Sequence, residues 1–203
     1  MTPTPLHTQR TPEINIAVTL LARFIFRLMG WQSMGEVPNI PKMVIIGAPH
    51  TSNWDGFYFY LITLILRTKL RFLGKHTLFR PPFGGIMRWA GGIPINRATS
   101  KNAVEQAVDA FNQSENMALV IAAEGTRKKT KFWKTGFYYI ALGAKVPIVL
   151  GYVNYATRTA GIGPHFMPSG DIEKDFETIQ KFYEDKVGRH PERKSDVALP
   201  PKP

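Results

Sequence analysis

The chain has 203 residues, 44% of them hydrophobic, enough for one packed core and too few for two ordinary domains. It has no cysteine, which excludes disulfides, cysteine-bearing zinc sites and an acyl-cysteine intermediate, and agrees with a reducing compartment. The net charge of +11 is concentrated, since residues 67 to 145 hold 14 Lys and Arg against only Glu105, Asp109, Glu115 and Glu124.

Residues 1–12 are polar and Pro-rich and read as a flexible N-terminus without the apolar core of a signal peptide. Over 13–31, Asn15, Thr19, Arg23 and Arg27 recur every four positions among Ile16, Leu20, Leu21, Phe24, Leu28 and other apolar residues. That spacing predicts an amphipathic helix with a narrow polar stripe and a broad apolar face. It is shorter than the ~20 apolar residues a bilayer crossing requires, so a helix lying in the membrane interface is expected. The alternative is a helix buried against its own domain.

The main domain is expected over 32–189. Met43-Val44-Ile45-Ile46 reads as a buried strand, Pro49 stops it, and Thr51, Ser52, Asn53 and Asp55 are turn and helix-capping residues. His50 and Asp55 lie five positions apart, which in a regular helix turns the side chains roughly 140° from each other and in a strand puts them on opposite faces. Only an irregular strand-to-helix turn lets them meet, with His50 as general base and Asp55 fixing its tautomer. Ligands in α/β folds bind at such strand ends.

Further on, Phe57–Leu66 reads as an apolar helix and Leu70–Leu73 as a short strand. Gly92–Asn96 and Met117–Ala123 are further strands, separated by a helix over Thr99–Asn112 for which Ser100 is a candidate cap. A helix over Lys134–Leu142, a strand over Val146–Val153 and an amphipathic helix over Ile172–Lys186 complete the pattern. Alternating strands and helices predict an α/β single domain with a central mixed β-sheet flanked by helices and preceded by the amphipathic N-terminal helix. The charged, Pro-rich residues 190–203 are expected to form a disordered tail.

Phe57, Phe59, Leu61, Phe79, Phe83, Ile86, Met87 and Trp89 are candidates for an acyl-chain slot, although core packing is the reading adopted for most of them. His76, His165 and His190 have no companion at metal-ligand spacing, so no metal is expected. Gly84-Gly85 and Gly91-Gly92 lack the spacing of a phosphate or dinucleotide loop.

Four blocks follow one another: Ala48-Pro49-His50-Thr51-Ser52-Asn53-Trp54-Asp55, Gly91 to Arg97, Glu124-Gly125-Thr126-Arg127, and Val146-Pro147-Ile148-Val149. In this order they resemble the glycerolipid acyltransferases, the family of 1-acylglycerol-3-phosphate acyltransferase, over about residues 43 to 155. Lys75 to Gly85 looks like that family's segment ahead of the second block. The chain departs from the family at Pro49, where Asn is frequent, at Asn96, where Asp is common, at Ala122-Ala123, where Phe-Pro is usual, and at Leu150, where a second Pro is frequent. These departures bear on the acceptor more than on the reaction class.

The resemblance implies a peripheral enzyme on the cytoplasmic face of a membrane. It would move a fatty acyl group from acyl-CoA or acyl carrier protein to a lysophospholipid hydroxyl, foremost 1-acylglycerol-3-phosphate, giving phosphatidic acid. No cofactor beyond the acyl thioester and no acyl-enzyme are implied. His50 and Asp55 are the catalytic candidates, and Glu124 is assigned to the acceptor's glycerol portion. Thr126 and Arg127 are assigned to acceptor or phosphate, while Gly125 lets a backbone come close. Arg97 offers a bidentate fork to phosphate oxygens, and Lys75 a second cation. The positive field suits these anions and an anionic membrane surface, and no nucleic-acid partner is expected. The alternatives are another lysolipid or polyol acceptor, or a non-catalytic basic module that binds anionic lipid or nucleic acid.

Overall fold

Val44, Ile45 and Ile46 have no solvent-exposed surface, as a strand covered on both faces requires, and they mark the middle of a seven-stranded sheet. The structure, a computed structural model, describes residues 14–96 and 102–201. Its strands are β1 (Gln32–Met34), β2 (Lys42–Ala48), β3 (Leu70–Lys75), β4 (Gly92–Ile95), β5 (Met117–Ile121), β6 (Ile148–Asn154) and β7 (Thr159–Phe166), in spatial order β1-β7-β6-β2-β5-β3-β4. The helices are α1 (Ile16–Leu28), α2 (Asn53–Ile65), α3 (Gly84–Trp89), α4 (Ala103–Asn112), α5 (Gly136–Ala144) and α6 (Ile172–Tyr183). Strands β2 to β6 are mutually parallel, β7 runs antiparallel to β6, and β1 pairs parallel with β7, so the sheet is mixed.

Parallel neighbours need crossover connections, and right-handed crossovers distribute the helices over both faces of the sheet. Side-chain alternation separates the two layers. Val44, Ile46, Leu119, Ile148 and Leu150 pack with Phe111 of α4, Phe137 of α5 and Ile179 of α6. Met43, Ile45, Ala118 and Val149 face the other way, toward Phe59 of α2 and Leu66. There α1 closes over α2, with Ala22 and Phe26 against Tyr58, Leu61 and Ile62.

Several boundaries differ from the sequence reading. Helix α2 starts four residues earlier than Phe57, because Ser52 caps it and Asp55 completes a reciprocal capping box. In α4 the cap is Asn102, paired with Glu105, while Ser100 and Thr99 lie outside the described residues. Strand β7 was not legible: Gly161, Gly163 and Pro164 punctuate it like a loop. Gly161 has a packing reason, since a Cβ there would lie 1.9 Å from the Met34 carbonyl oxygen.

Residues 190–201 correct the expectation of disorder. They form a 3-10 turn at Pro191–Arg193, bury Ser195 and Val197, and lay Val197 and Leu199 on the main core. The Lys194 Nζ donates to the Tyr183 and Glu184 carbonyls at 3.0 Å each, and the Trp133 backbone N–H to the Ala198 carbonyl at 2.9 Å. Composition misleads here because every one of these partners is distant or lies on another element. The flexible N-terminus expected over 1–12 falls outside the described residues. Among the described residues no helix is long and apolar enough to cross a membrane.

Candidate active site

Because β2, β3, β4, β5 and β6 are parallel, their carboxyl ends share one edge of the sheet, and four of them deliver a described candidate residue there. His50 follows β2, Lys75 ends β3, Glu124 follows β5 and Tyr155 follows β6. Arg97 follows β4 in sequence but lies outside the described residues.

The turn between β2 and α2 brings His50 and Asp55 together. Ser52 adopts an extended backbone (φ −147°, ψ 160°) and its hydroxyl accepts from the Trp54 N–H at 3.2 Å, which sets the start of α2. One turn in, Asp55 bends back: its Oδ2 accepts from the Thr51 N–H at 2.6 Å and the Ser52 N–H at 2.7 Å. Its Oδ1 accepts from the Tyr155 hydroxyl at 2.7 Å. The His50 Nδ1 lies 3.6 Å from Asp55 Oδ2, with the imidazole 29% exposed and the carboxylate 5%. Free-enzyme catalytic contacts are often this long and tighten when substrate binds.

Burial works to raise the Asp55 pKa, but His50, Tyr155 and the Ser52 and Thr51 amides outweigh it and hold the carboxyl below its ordinary value. The carboxylate is therefore charged at neutral pH, suited to orienting an imidazole and stabilising an imidazolium. Tyr155 stays a donor, since burial and then Asp55 itself push its hydroxyl pKa up.

Glu124 emerges just past the end of β5, as its sequence suggests, but it is buried there. It is 2% exposed, and its Oε2 accepts the His50 backbone N–H at 2.6 Å. Its Oε1 is buried without a hydrogen-bond partner. Burial pushes its pKa up to about 7, with the His50 amide acting in the opposite direction. Glu124 thus fixes the backbone that carries the His50 ring.

Gly125 next to it has φ +67°, a left-handed conformation, and a Cβ there would meet the Lys134 side chain at 2.8 Å. Thr126 is half-buried and its hydroxyl accepts from the Lys128 N–H at 3.3 Å, whereas Arg127 and Lys75 are exposed. Among the described residues no hydrogen bond or ion pair ties Lys75, Thr126 or Arg127 to His50 or Asp55; they share the edge, ahead of any ligand. No three His, Asp or Glu side chains of the described residues gather as a metal site.

Sequence reasoning missed Tyr155 and the C-terminal segment. Like His50 after β2 and Glu124 after β5, Tyr155 is a polar residue just past a buried parallel strand, Ile148–Asn154. Nothing local points to His190, whose N–H donates to the Thr51 hydroxyl at 3.2 Å, or to Arg189, whose guanidinium lies 5.4 Å from the Trp54 ring.

A family model described as Acyltransferase matches residues 34–150. The chain is 27% identical over 146 residues to a 1-acyl-sn-glycerol-3-phosphate acyltransferase of Haemophilus influenzae, covering 65% of this chain and 59% of that protein. It is 29% identical over 136 residues to the enzyme of the same name from Cocos nucifera, covering 57% of this chain and 44% of that protein. The chain thus spans about half the length of these curated relatives. In fold it is similar to the crystal structure of the 1-acyl-sn-glycerophosphate (LPA) acyltransferase PlsC from Thermotoga maritima, with a TM-score of 0.56, 16% identity, and coverage of 81% of this chain and 75% of that one. The family match takes in more than half of the sequence, including the His50, Lys75 and Glu124 blocks and the strands that deliver them, and the chain belongs to the acyltransferase family.

Proposed function

We propose that the protein is a peripheral membrane O-acyltransferase. It transfers a fatty acyl group from acyl-CoA or acyl carrier protein to the free hydroxyl of a lysophospholipid, 1-acylglycerol-3-phosphate in the first place. The reading is carried by one observation: the His50 Nδ1 faces a charged, triply hydrogen-bonded Asp55, which leaves Nε2 for an acceptor.

In this reading Nε2 takes the acceptor's hydroxyl proton as the oxygen attacks the thioester carbonyl. A C–O bond forms, the oxyanion collapses, the C–S bond breaks, and the imidazolium returns its proton to the leaving thiolate. Asp55 stabilises the imidazolium meanwhile. Glu124 holds the His50 backbone in place. Lys75, Arg97, Thr126 and Arg127 are the proposed groups for acceptor and phosphate, and the cytoplasmic face of an anionic membrane is the proposed location.

A second acceptor class is supported by Pro49 and Asn96, which replace residues common in the family. The test is incubation of the purified protein with a labelled acyl thioester and matched acceptors with and without phosphate. Labelled phosphatidic acid from 1-acylglycerol-3-phosphate is expected. Preferential labelling of a phosphate-free acceptor would move the assignment to the second class, and no transfer to any acceptor would contradict the enzymatic reading.

A further inference from the structure

The layers on the two sides of the sheet differ in what they show to solvent. On one side lie α1, α2 and, over β3 and β4, the segment 76–89. Strand parity fixes the last placement: Leu70 packs with Phe59 and Leu66, and Gly74 shares its side of β3. A Cβ on Gly74 would lie 2.9 Å from the Phe79 ring, so Phe79 sits on that same side.

Phe79 is the buried anchor of the segment, and its neighbours turn outward. Leu78, Phe83, Ile86 and Trp89 are exposed, Trp89 by 82%. Of the eight apolar residues read mostly as core, Phe83, Ile86 and Trp89 are therefore exceptions. Single exposed apolar residues need no explanation, but a cluster on one short segment marks an interaction site. Helix α1 is oriented in a comparable way: Thr19 turns inward and donates to the Leu64 carbonyl at 3.1 Å, while Leu20, Leu21, Phe24 and Leu28 face out.

Residues 56–96 contain six Lys and Arg and no Asp or Glu, and of these Arg80 and Arg88 are exposed on the segment 76–89 itself, on either side of Phe83 and Ile86. Most carboxylates fall in α4, in α6 and beyond, on the opposite layer or the C-terminal segment. Helix α1 packs toward the β6 and β7 end of this face and the segment 76–89 lies over β3 and β4, so one partner for both must be broad, apolar and anionic. An anionic bilayer has those properties, and an exposed indole suits its headgroup level.

We propose that the segment 76–89 is a second bilayer-docking element, which inserts the Phe83, Ile86 and Trp89 side chains beside α1 into an anionic lipid surface. This deepens the peripheral-membrane reading above and rests on it. Docking at two points fixes how the sheet edge bearing His50 is presented to the lipid, which docking through α1 alone leaves free to rotate.

The test uses the full chain and vesicles of phosphatidylcholine with or without phosphatidylglycerol. In F83S/I86S/W89S, partitioning onto anionic vesicles should fall by roughly tenfold or more, given the apolar area removed. Its rate on a water-soluble short-chain thioester and acceptor should match wild type. In wild type, lipids brominated along the acyl chain should quench a tryptophan emission component that Trp89→Phe removes; this milder variant decides the matter if the triple variant fails to fold. Unchanged vesicle partitioning together with no Trp89-dependent quenching would overturn the second docking element. Unchanged partitioning with a lower rate only when acyl carrier protein is the donor would overturn it in favour of an acidic protein partner. Failure of wild type to bind vesicles at all would instead remove the peripheral-membrane reading, whether or not the chain transfers acyl groups.

Discussion

Asp55 and Glu124 are two carboxylates buried beside the same histidine, and the structure treats them in opposite ways. Asp55 receives the Thr51 and Ser52 amides and the Tyr155 hydroxyl, and its pKa is lowered against the pull of burial. Glu124 receives the His50 amide, has an unpartnered Oε1, and is raised to about 7. Burial is common to both, so hydrogen-bond donors decide which one carries charge. The charged one faces the imidazole, and the one raised to about 7 holds the backbone. The two positions are therefore expected to respond differently to every perturbation.

The largest expected effect is on Asp55. Asp55→Asn removes the charge that stabilises an imidazolium, and turnover should fall by ~10²-fold or more in a protein that still folds. Comparing kcat with thermal unfolding checks this, and a variant with wild-type kcat would dissolve the contrast. The pH dependence of stability follows from the direction of the shift. A lowered pKa contributes stability above the unfolded value of 3.8 and loses it as pH falls through the folded one, so the Asp55 contribution should disappear in acid.

Glu124 should show the opposite slope. Its pKa rises from 4.5 to about 7, so its contribution is fully present below 4.5 and is lost as pH climbs through about 7. Glu124→Gln removes that titration. Urea unfolding from pH 5 to 9 should show wild type losing up to roughly 3 kcal/mol relative to the variant. Parallel curves would mean that Glu124 is not desolvated in solution. Beside it, Gly125→Ala should cost about 1–2 kcal/mol of stability, because the backbone there is left-handed and the Lys134 stem occupies the Cβ position.

The smallest effect should come from Tyr155→Phe, which removes one of the donors to Asp55 and keeps the ring. A loss of about 1 kcal/mol corresponds to roughly fivefold in kcat. The Asp55 pKa should also move up toward its ordinary value, which shifts the acid limb of the stability profile to higher pH. An unchanged limb would show that the two backbone amides suffice.

The same pair shows what a sequence does and does not disclose. Asp55 was legible because its partners His50, Thr51 and Ser52 lie within five residues, and a turn rich in capping residues has few ways to fold. Glu124 could be placed at a strand end from the apolar run before it, but its contact with the His50 amide joins positions 74 apart. Only the pairing of β5 with β2 creates that contact. The central strands and the main helices were readable from apolar runs and periodicity. Strand β7 was hidden by its own Gly and Pro, and the folded segment 190–201 by a composition that resembles disorder. The exposure of Trp89 was not legible because apolarity alone does not distinguish a core side chain from one on the surface.

The proposed chemistry depends on His50 as the base, and the most direct test of that role is single-turnover acyl transfer by His50→Ala with saturating thioester and acceptor. With the imidazole gone and the Glu124 contact to the backbone amide kept, the chemical step should slow by ~10²–10⁴-fold while the unfolding midpoint stays close to wild type. Transfer at near the wild-type rate by folded His50→Ala would contradict the mechanism and leave the charged Asp55 as a helix cap alone.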